Sequence, residues 1–346
     1  MNFWRTIRRS NFVIRLSSWE YWPFGIVQFP AIIYWLWLSL RARSLVFFSA
    51  ANPGIPMGGM FGESKYDILQ KIPLQYIPVT IKIESVSSVD SIIAVIRKAG
   101  LQLPVIFKPD IGERGYQVKR INCADEIPGY LRAIRGPFLI QELIEEPLEF
   151  GVFYLRFPGD VKGAVISLVG KEMLSVTGDG TSTLLQLIMK NDRAKLQLDV
   201  LKTVFQAELG SVVETGKRLE LVSIGNHARG TRFINASHLI NEPLSRTFDV
   251  ISANIPGFYF GRFDLRCASL DALYEGRVKI LELNGCGAEP AHIYDKEFTL
   301  WKAFHELIRH WDNIFQIALA NKARGVEFVT LRDGLEFYRR FKDAVK

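Results

Sequence analysis

Residues 261–290, GRFDLRCASLDALYEGRVKILELNGCGAEP, constrain the fold more than any other stretch of the chain. An alternating run ends at Arg266, a turn is expected around Glu275 and Gly276, and a second alternating run covers 278–284, so the stretch predicts a hairpin-like pair of strands. Successive strand side chains point to opposite faces. Arg262, Asp264 and Arg266 therefore share one face while Phe263 and Leu265 take the other, and Glu282 and Asn284 oppose Leu281 and Leu283. Each strand has an apolar face for a core and a charged one. The charged faces offer a carboxylate between two arginines and, two residues apart, a carboxylate and a carboxamide. Such hard oxygen donors suit Mg²⁺; the alternative is an ordinary polar sheet face.

The order G-R-x-D followed by L-E-L-N-G resembles the metal-binding end of the ATP-grasp carboxylate-amine ligases, such as D-alanine-D-alanine ligase, glutathione synthetase and cyanophycin synthetase. The resemblance implies an α/β (α+β) fold in which two α+β subdomains grip ATP. It also implies that Asp264, Glu282 and Asn284 bind two Mg²⁺ ions (or Mn²⁺) on the ATP phosphates, and that Arg262 stabilises the transition state. Other segments resemble the family in the same order, from about Lys65 to Pro290. SKYDILQK is similar to a helix whose first lysine, Lys65, touches ATP phosphate; a solvated helix lysine is the other reading. LPVIFKPDIGERGYQV is an apolar strand ending at Lys108 beside a loop with Gly112 and Gly115, an arrangement that can bring a point charge and backbone N–H groups to phosphates.

PFLIQELIEEPLEF resembles the hinge strand between the two subdomains, which implies Glu142 and Leu143 near adenine and Glu149 on the ribose hydroxyls; Glu145 and Glu146 read as solvated loop acids. VTGDGTSTLLQLI resembles a segment of cyanophycin synthetase, as does the Arg193-Ala194 pair, although a tight turn at Asp179 with hydroxyls capping the next helix explains the residues equally. GNHARGTRF, 225–233, departs from the family pattern near the reacting phosphate. Its Arg229 and Arg232 are candidate ligands of the γ-phosphate or of an acyl phosphate, with surface arginines as the alternative, and His227 is a base or a structural histidine.

The N-terminal arm is a separate matter. Residues 1–44 hold six arginines against Glu20 and so carry five of the seven net positive charges, which points to an anionic membrane surface rather than nucleic acid. The 18 residues from Pro23 to Leu40 carry no charge, and as a helix they would reach about 27 Å, close to the hydrocarbon thickness of a bilayer. Aromatic residues cluster at both ends, as in interfacial belts. A single span would put four arginines across the membrane, against the positive-inside tendency. The arm is thus expected to be monotopic or re-entrant and broken near Pro30, with a single span or a buried core helix as alternatives. Cys123, Cys267 and Cys286 are too scattered for a disulfide framework or zinc spacing.

Five parts are expected: the arm (1–44), a reduced region with the first-lysine helix (45–103), a small subdomain (104–150), a large subdomain with the metal site (151–312) and C-terminal helices (313–346). LVFFSAA is expected as a short buried strand and NPGIPMGGMFG as a loop bringing backbone close to something. The final helix is expected against the membrane-facing side. The implied reaction is ATP- and Mg²⁺-dependent amide formation through an acyl phosphate, on the cytoplasmic face of the membrane. Its partners would be a carboxylate and an amine, one of them lipid-linked or both soluble. A phosphotransferase, or a membrane-tethered ATP-binding protein without turnover, are the other readings. The sequence identifies neither substrate and leaves the oligomeric state open.

Overall fold

A computed structural model describes residues 10–85, 88–113, 115–222, 225 and 230–344. The arm holds α1 (Asn11–Ser17) and α2 (Phe24–Ala42), followed by the short α3 (Lys65–Leu69). Then come β1 (Thr80–Ile83), α4 (Val89–Lys98), β2 (Val105–Pro109), β3 (Lys119–Ile121), α5 (Ile127–Ala133) and β4 (Phe138–Glu142). These strands form an antiparallel four-stranded sheet ordered β1-β4-β2-β3. Helix α4 begins with a reciprocal Ser88–Ser91 capping box and packs Ile92 and Ile96 against Phe107, Tyr130 and Phe138.

The second half contains β5 (Leu148–Leu155), β6 (Ala164–Glu172), β7 (Ser175–Thr177), α6 (Leu184–Lys190), α7 (Asp192–Leu196), α8 (Leu198–Val204), β8 (Arg218–Glu220) and β9 (Arg232–Asn235). It continues with α9 (Glu242–Ala253), β10 (Phe260–Cys267), α10 (Leu270–Tyr274), β11 (Val278–Asn284), α11 (Leu300–Lys322) and α12 (Leu331–Ala344). Among the described residues a second antiparallel sheet runs β11-β10-β5-β6-β9, and β7 pairs with β8. The described residues are therefore α+β, with two larger sheets and the small β7–β8 pair. Phe263 and Leu265 point into a core shared with Phe248 and Phe258, while their even-numbered neighbours face the other way.

Three local expectations need correction. The link between β10 and β11 is not a simple turn, because Ser269 caps the five-residue α10 before Gly276 turns the chain back at φ 75°. LVFFSAA is buried from Val46 onwards, but it forms a 3₁₀ turn over Phe47–Ala50 instead of a strand. A short apolar run does not distinguish the two by periodicity. Helix α2 runs unbroken through Pro30. Both halves of α2 dock on the body: Val27 and Ala31 against Ile293, Ala303 and Leu307, and Leu38 and Ala42 in a cluster with Phe47, Ile314 and Phe315. That packing on either side of the proline offsets the single backbone hydrogen bond it removes.

The opposite face of α2 is apolar and bare, with Phe29 61%, Ile33 53% and Leu40 79% exposed. The helix is long and apolar enough to cross a membrane by length and composition, yet 28% of its most apolar window is buried in the protein. It is neither a plain core helix nor a free one.

The glycine-rich loop after the arm meets the end of β11. Gly58 and Gly59 accept from the backbone N–H groups of Cys286 and Gly287 at 3.0 and 2.8 Å, and a Cβ on Gly59 would lie 2.8 Å from the Gly285 backbone. Fully buried Asn52 secures the same loop: its amide donates to the carbonyls of Gly58 and Phe260, and its oxygen accepts from Tyr259 and Phe260 N–H.

Candidate active site

A cavity of about 1130 Å³ opens between the two sheets. Its floor is the charged face of β10 and β11, where the register pairs Asp264 with Glu282 and Arg262 with Asn284. Arg262 donates to both oxygens of Asp264 at 3.0 Å, and Asn284 donates to Oδ2 at 3.2 Å. Opposite Asp264 across β5 stands Gly151, where a Cβ would come within 3.2 Å of both Asp264 and Arg262, so the pair fits only over a bare backbone. Lys171 of β6 completes the group at 3.2 Å from Asp264 Oδ1 and 3.1 Å from Glu149 Oε1. Arg266 holds the other oxygen of Glu149 at 3.0 Å.

Buried charges of this kind persist only when paired. Burial by itself would raise the pKa of Asp264, but Arg262 and Lys171 more than offset it and leave the carboxyl at about 2. Burial likewise opposes the charge on Lys171, and Asp264 and Glu149 overcome that, so its pKa is raised. Lys108 differs. It is enclosed at the end of β2, donating to Gln141 Oε1 at 2.9 Å and Leu281 O at 3.0 Å, and burial pulls its pKa down to about 8 against the opposing charge of Glu282. Lys65 lies 3.7 Å from Glu282 and also donates to the Gly112 carbonyl. Asp110 fixes the spacing of the two lysines: its side chain accepts from Ser64 Oγ and Tyr66 N–H, and its carbonyl from Lys65 N–H, tying the start of α3 to the end of β2.

The sequence-derived residues thus fall into groups. Arg262, Asp264, Glu282, Asn284, Lys65, Lys108, Gly112, Gly115, Glu142, Leu143 and Glu149 all line the one cavity. Glu149, expected on a ribose, is held by Lys171 and Arg266, while Glu142 accepts from Val79 N–H at 3.0 Å. Arg232 is not part of the cavity lining; it sits on β9 against Glu172 at 3.5 Å. Its strand runs along the far edge of the sheet, away from β10, which separates it from Arg262. His227 and Arg229 lie outside the described residues. Asp179 accepts from Thr181 and Ser182 N–H and pairs with Lys190, and Thr183 caps α6, which is the turn-and-cap reading of that segment.

Sequence reasoning gave no role to Lys171 or Arg266, nor to the walls. The arm is one wall: Arg15, Tyr21, Trp22 and Phe24 line the cavity. Glu20 pairs with Arg193 at 2.6 Å, and Gln28 donates to Glu289 at 2.5 Å. Helix α12 is the other. Its Tyr338 and Phe341 pack on Phe61, and all three line the cavity.

The donor set suits a divalent ion that arrives with phosphate oxygens. Two carboxylates and one carboxamide meet across one ladder, and among the described residues no group of three or more His, Cys, Asp or Glu is placed to hold a metal ion. Mg²⁺ is held in this manner, by one or two carboxylates plus phosphate and water, and not in an all-protein cage.

No protein-family model matches the chain, and no curated protein matches it. Among solved structures it is similar to ligases. D-alanine–D-alanine ligase from Bacillus anthracis shares 13% identity at a TM-score of 0.41, over 75% of this chain and 68% of that one. VanG D-Ala:D-Ser ligase from Enterococcus faecalis shares 11% at 0.41, over 74% and 62%. A bifunctional glutathione synthetase from Pasteurella multocida shares 14% at 0.38, over 71% and 35%. The chain therefore spans about a third of the length of the glutathione synthetase and less than two thirds of the VanG ligase.

Proposed function

We propose that the chain is an ATP-grasp ligase that uses Mg-ATP to join a carboxylate to an amine, working at a membrane surface on an amphiphilic substrate. The observation that carries the reading is the convergence of Lys65 and Lys108 on the Asp264–Glu282 ladder, with Arg262 beside it, in a cavity between two sheets. Phosphoryl transfer needs little covalent help from a protein and is promoted by placed cations. No protein nucleophile is required.

In this reading Lys65 and Lys108 hold the ATP phosphates, with Gly112 and Gly115 supplying backbone beside them. Asp264, Glu282 and Asn284 hold Mg²⁺, which when bound neutralises phosphate charge. The substrate carboxylate attacks the γ-phosphorus, the bond to the bridging oxygen breaks, and ADP leaves with that electron pair. Arg262 faces the transferring group. A neutral amine then attacks the acyl carbon, inorganic phosphate leaves, and the amine loses its proton. Glu142, Leu143 and Glu149 lie towards the nucleoside, Glu149 acting mainly to position Lys171 and Arg266. Arg229 stays in the proposal as a phosphate ligand, while Arg232 would reach phosphate only by leaving Glu172.

Hydroxylamine trapping tests the reaction. With Mg-ATP and a pool of candidate carboxylates, ADP release should be matched by hydroxamate. ADP without hydroxamate would favour phosphotransfer, and nucleotide binding without ADP would end the enzymatic reading.

The structure adds a pH dependence. Bound phosphate favours the charged form of Lys108, whose pKa burial lowers to about 8. Mg-ATP affinity should therefore fall as pH rises through 8, and binding near that pH should take up protons, seen as a heat that varies with buffer ionisation enthalpy. Lys108→Ala should remove the proton uptake and weaken ATP binding by about tenfold or more, the worth of a charge-assisted hydrogen bond. Unchanged calorimetric affinity would take Lys108 out of the phosphate site.

Membrane association rests on the bare apolar face of α2 and on Arg41 and Arg43 at its end, an arrangement suited to the cytoplasmic leaflet. The arm's place in the cavity wall supports an amphiphilic substrate, because it sets the reaction cleft beside the surface where such a head group lies.

A further inference from the structure

Gln28 is out of character with the rest of α2. Of the buried residues of that helix only Gln28 and Ser39 are polar. Ser39 satisfies its hydroxyl within the helix, on the Trp35 carbonyl at 2.8 Å. Gln28, 8% exposed, reaches off the helix instead and donates from Nε2 to Glu289 Oε1 at 2.5 Å. Its neighbours Val27 and Ala31 already dock this part of α2 through apolar contacts. Burying a carboxamide costs free energy until it is hydrogen-bonded, so a leucine at the same place would serve docking alone.

Glu289 connects that contact to Arg262. Its carboxylate also accepts from Tyr294 Oη at 3.2 Å, and Tyr294 stacks on Trp19 of the arm with ring centroids 5.6 Å apart. Its backbone carbonyl accepts from Arg262 Nη1 at 3.0 Å. Pro290 follows directly and restricts the backbone of Glu289, so the carbonyl and the side chain are held together. The other two nitrogens of the Arg262 guanidinium, Nε and Nη2, are spent on Asp264. In the ligase reading Asp264 also gives oxygen to Mg²⁺, which draws on the same lone pairs. The Glu289 carbonyl is then the anchor of Arg262 that the metal does not contest. We infer that Gln28 is a positioning residue: through Glu289 the arm sets the direction of Arg262 and completes the reacting end of the cleft. This rests on the ligase reading and deepens it. The residue after Gln28 is Phe29, 61% exposed on the bare face of α2, so the side chain offered to lipid and the one that holds Glu289 are adjacent on one helix.

The test is a swap in the full-length chain, read by ADP release with Mg-ATP and the carboxylate pool that yields hydroxamate, and by thermal melts without metal or nucleotide. Gln28→Leu keeps an apolar docking face and removes the donor. It should lower kcat by about tenfold or more, the scale of a misdirected catalytic group, and leave KM for ATP as in the wild type, because Lys65 and Lys108 stand on other elements. Gln28→Glu sets two carboxylates against each other and should lower both kcat and the melting temperature. Adding Glu289→Gln to Gln28→Glu rebuilds the pair in the reverse sense and should restore both. Wild-type kcat in Gln28→Leu, a swap no better than Gln28→Glu, or an effect confined to KM for ATP would each overturn the assignment. So would a kcat that falls only in step with the folded fraction, because the pair would then be a docking contact. If Gln28→Leu folds poorly, the swap decides. Absence of ADP release from the wild type sinks the ligase reading and the positioning role with it, whereas equal release from wild type and Gln28→Leu sinks the positioning role alone.

Discussion

Glu282→Gln should lower Mg-dependent ADP formation by at least about a hundredfold while leaving the fold intact. Removing one oxygen ligand of a phosphate-bridging ion costs several kcal/mol in the transition state, and each 1.4 kcal/mol is a factor of ten. The structure makes Glu282 a cleaner probe than Asp264. Its side chain is about a third exposed, and its ion pair, with Lys65, is at 3.7 Å. Neutralising it loosens this longer pair and takes from Lys108 the charge that opposes burial, but it breaks no close buried ion pair of the kind that holds Asp264. Asp264→Asn would also silence the reaction, but it would leave Arg262 and Lys171 buried beside a neutral amide. Breaking a buried pair in that way costs about 3–5 kcal/mol of stability, so loss of activity there would mix two causes. Steady-state ADP release with a thermal melt on the same sample decides the matter. Near-normal turnover in Glu282→Gln ends the metal assignment.

The second large effect concerns the arm. Removing residues 1–43 is a poor experiment, because it would uncover Phe47, Ile314 and Phe315 and take away one wall of the cavity. The outer face of α2 offers a better one. Phe29, Ile33 and Leu40 fall on one stripe of the helix and stand clear of the body. Changing all three to Glu should leave circular dichroism and Mg-ATP binding unaltered. It should also reduce binding to anionic phospholipid vesicles by a hundredfold or more. Each side chain withdrawn from lipid forfeits on the order of 1 kcal/mol, and each added carboxylate is repelled by an anionic surface at about 1 kcal/mol. Vesicle co-sedimentation of the triple variant at wild-type levels would remove α2 as the membrane-facing element.

What could be read from the sequence was whatever a short stretch settles within itself. The period-two pattern of β10 and β11 put Arg262, Asp264, Glu282 and Asn284 on adjoining faces because the two strands are close in the chain and pair directly. The capped α6 was legible for the same reason. Lys171 was not. It carries no local signal, and it reaches Glu149 only because β5 and β6 pair in a register that sets Phe150 opposite Gly170. The meeting of Glu20 with Arg193 spans 173 residues and depends on how the arm lies across the body. Pro30 misled because local propensity argues for a break, and tertiary packing on both sides of it prevails.

The docking of α2 on α11 also has a consequence for synthesis. The hydroxyl of Tyr34 donates to Asp312, a partner 278 residues further on. At about 5–20 residues per second, roughly 15–60 s of translation separate the two. During that interval the whole circumference of α2 is without its eventual cover, so Val27, Ala31 and Leu38 on the docking face are as bare as Phe29 and Leu40 on the opposite one. The nascent helix is thus a largely apolar cylinder before the protein exists to turn it into a two-faced one. On the proposed membrane reading, contact with a bilayer would precede completion of the cleft.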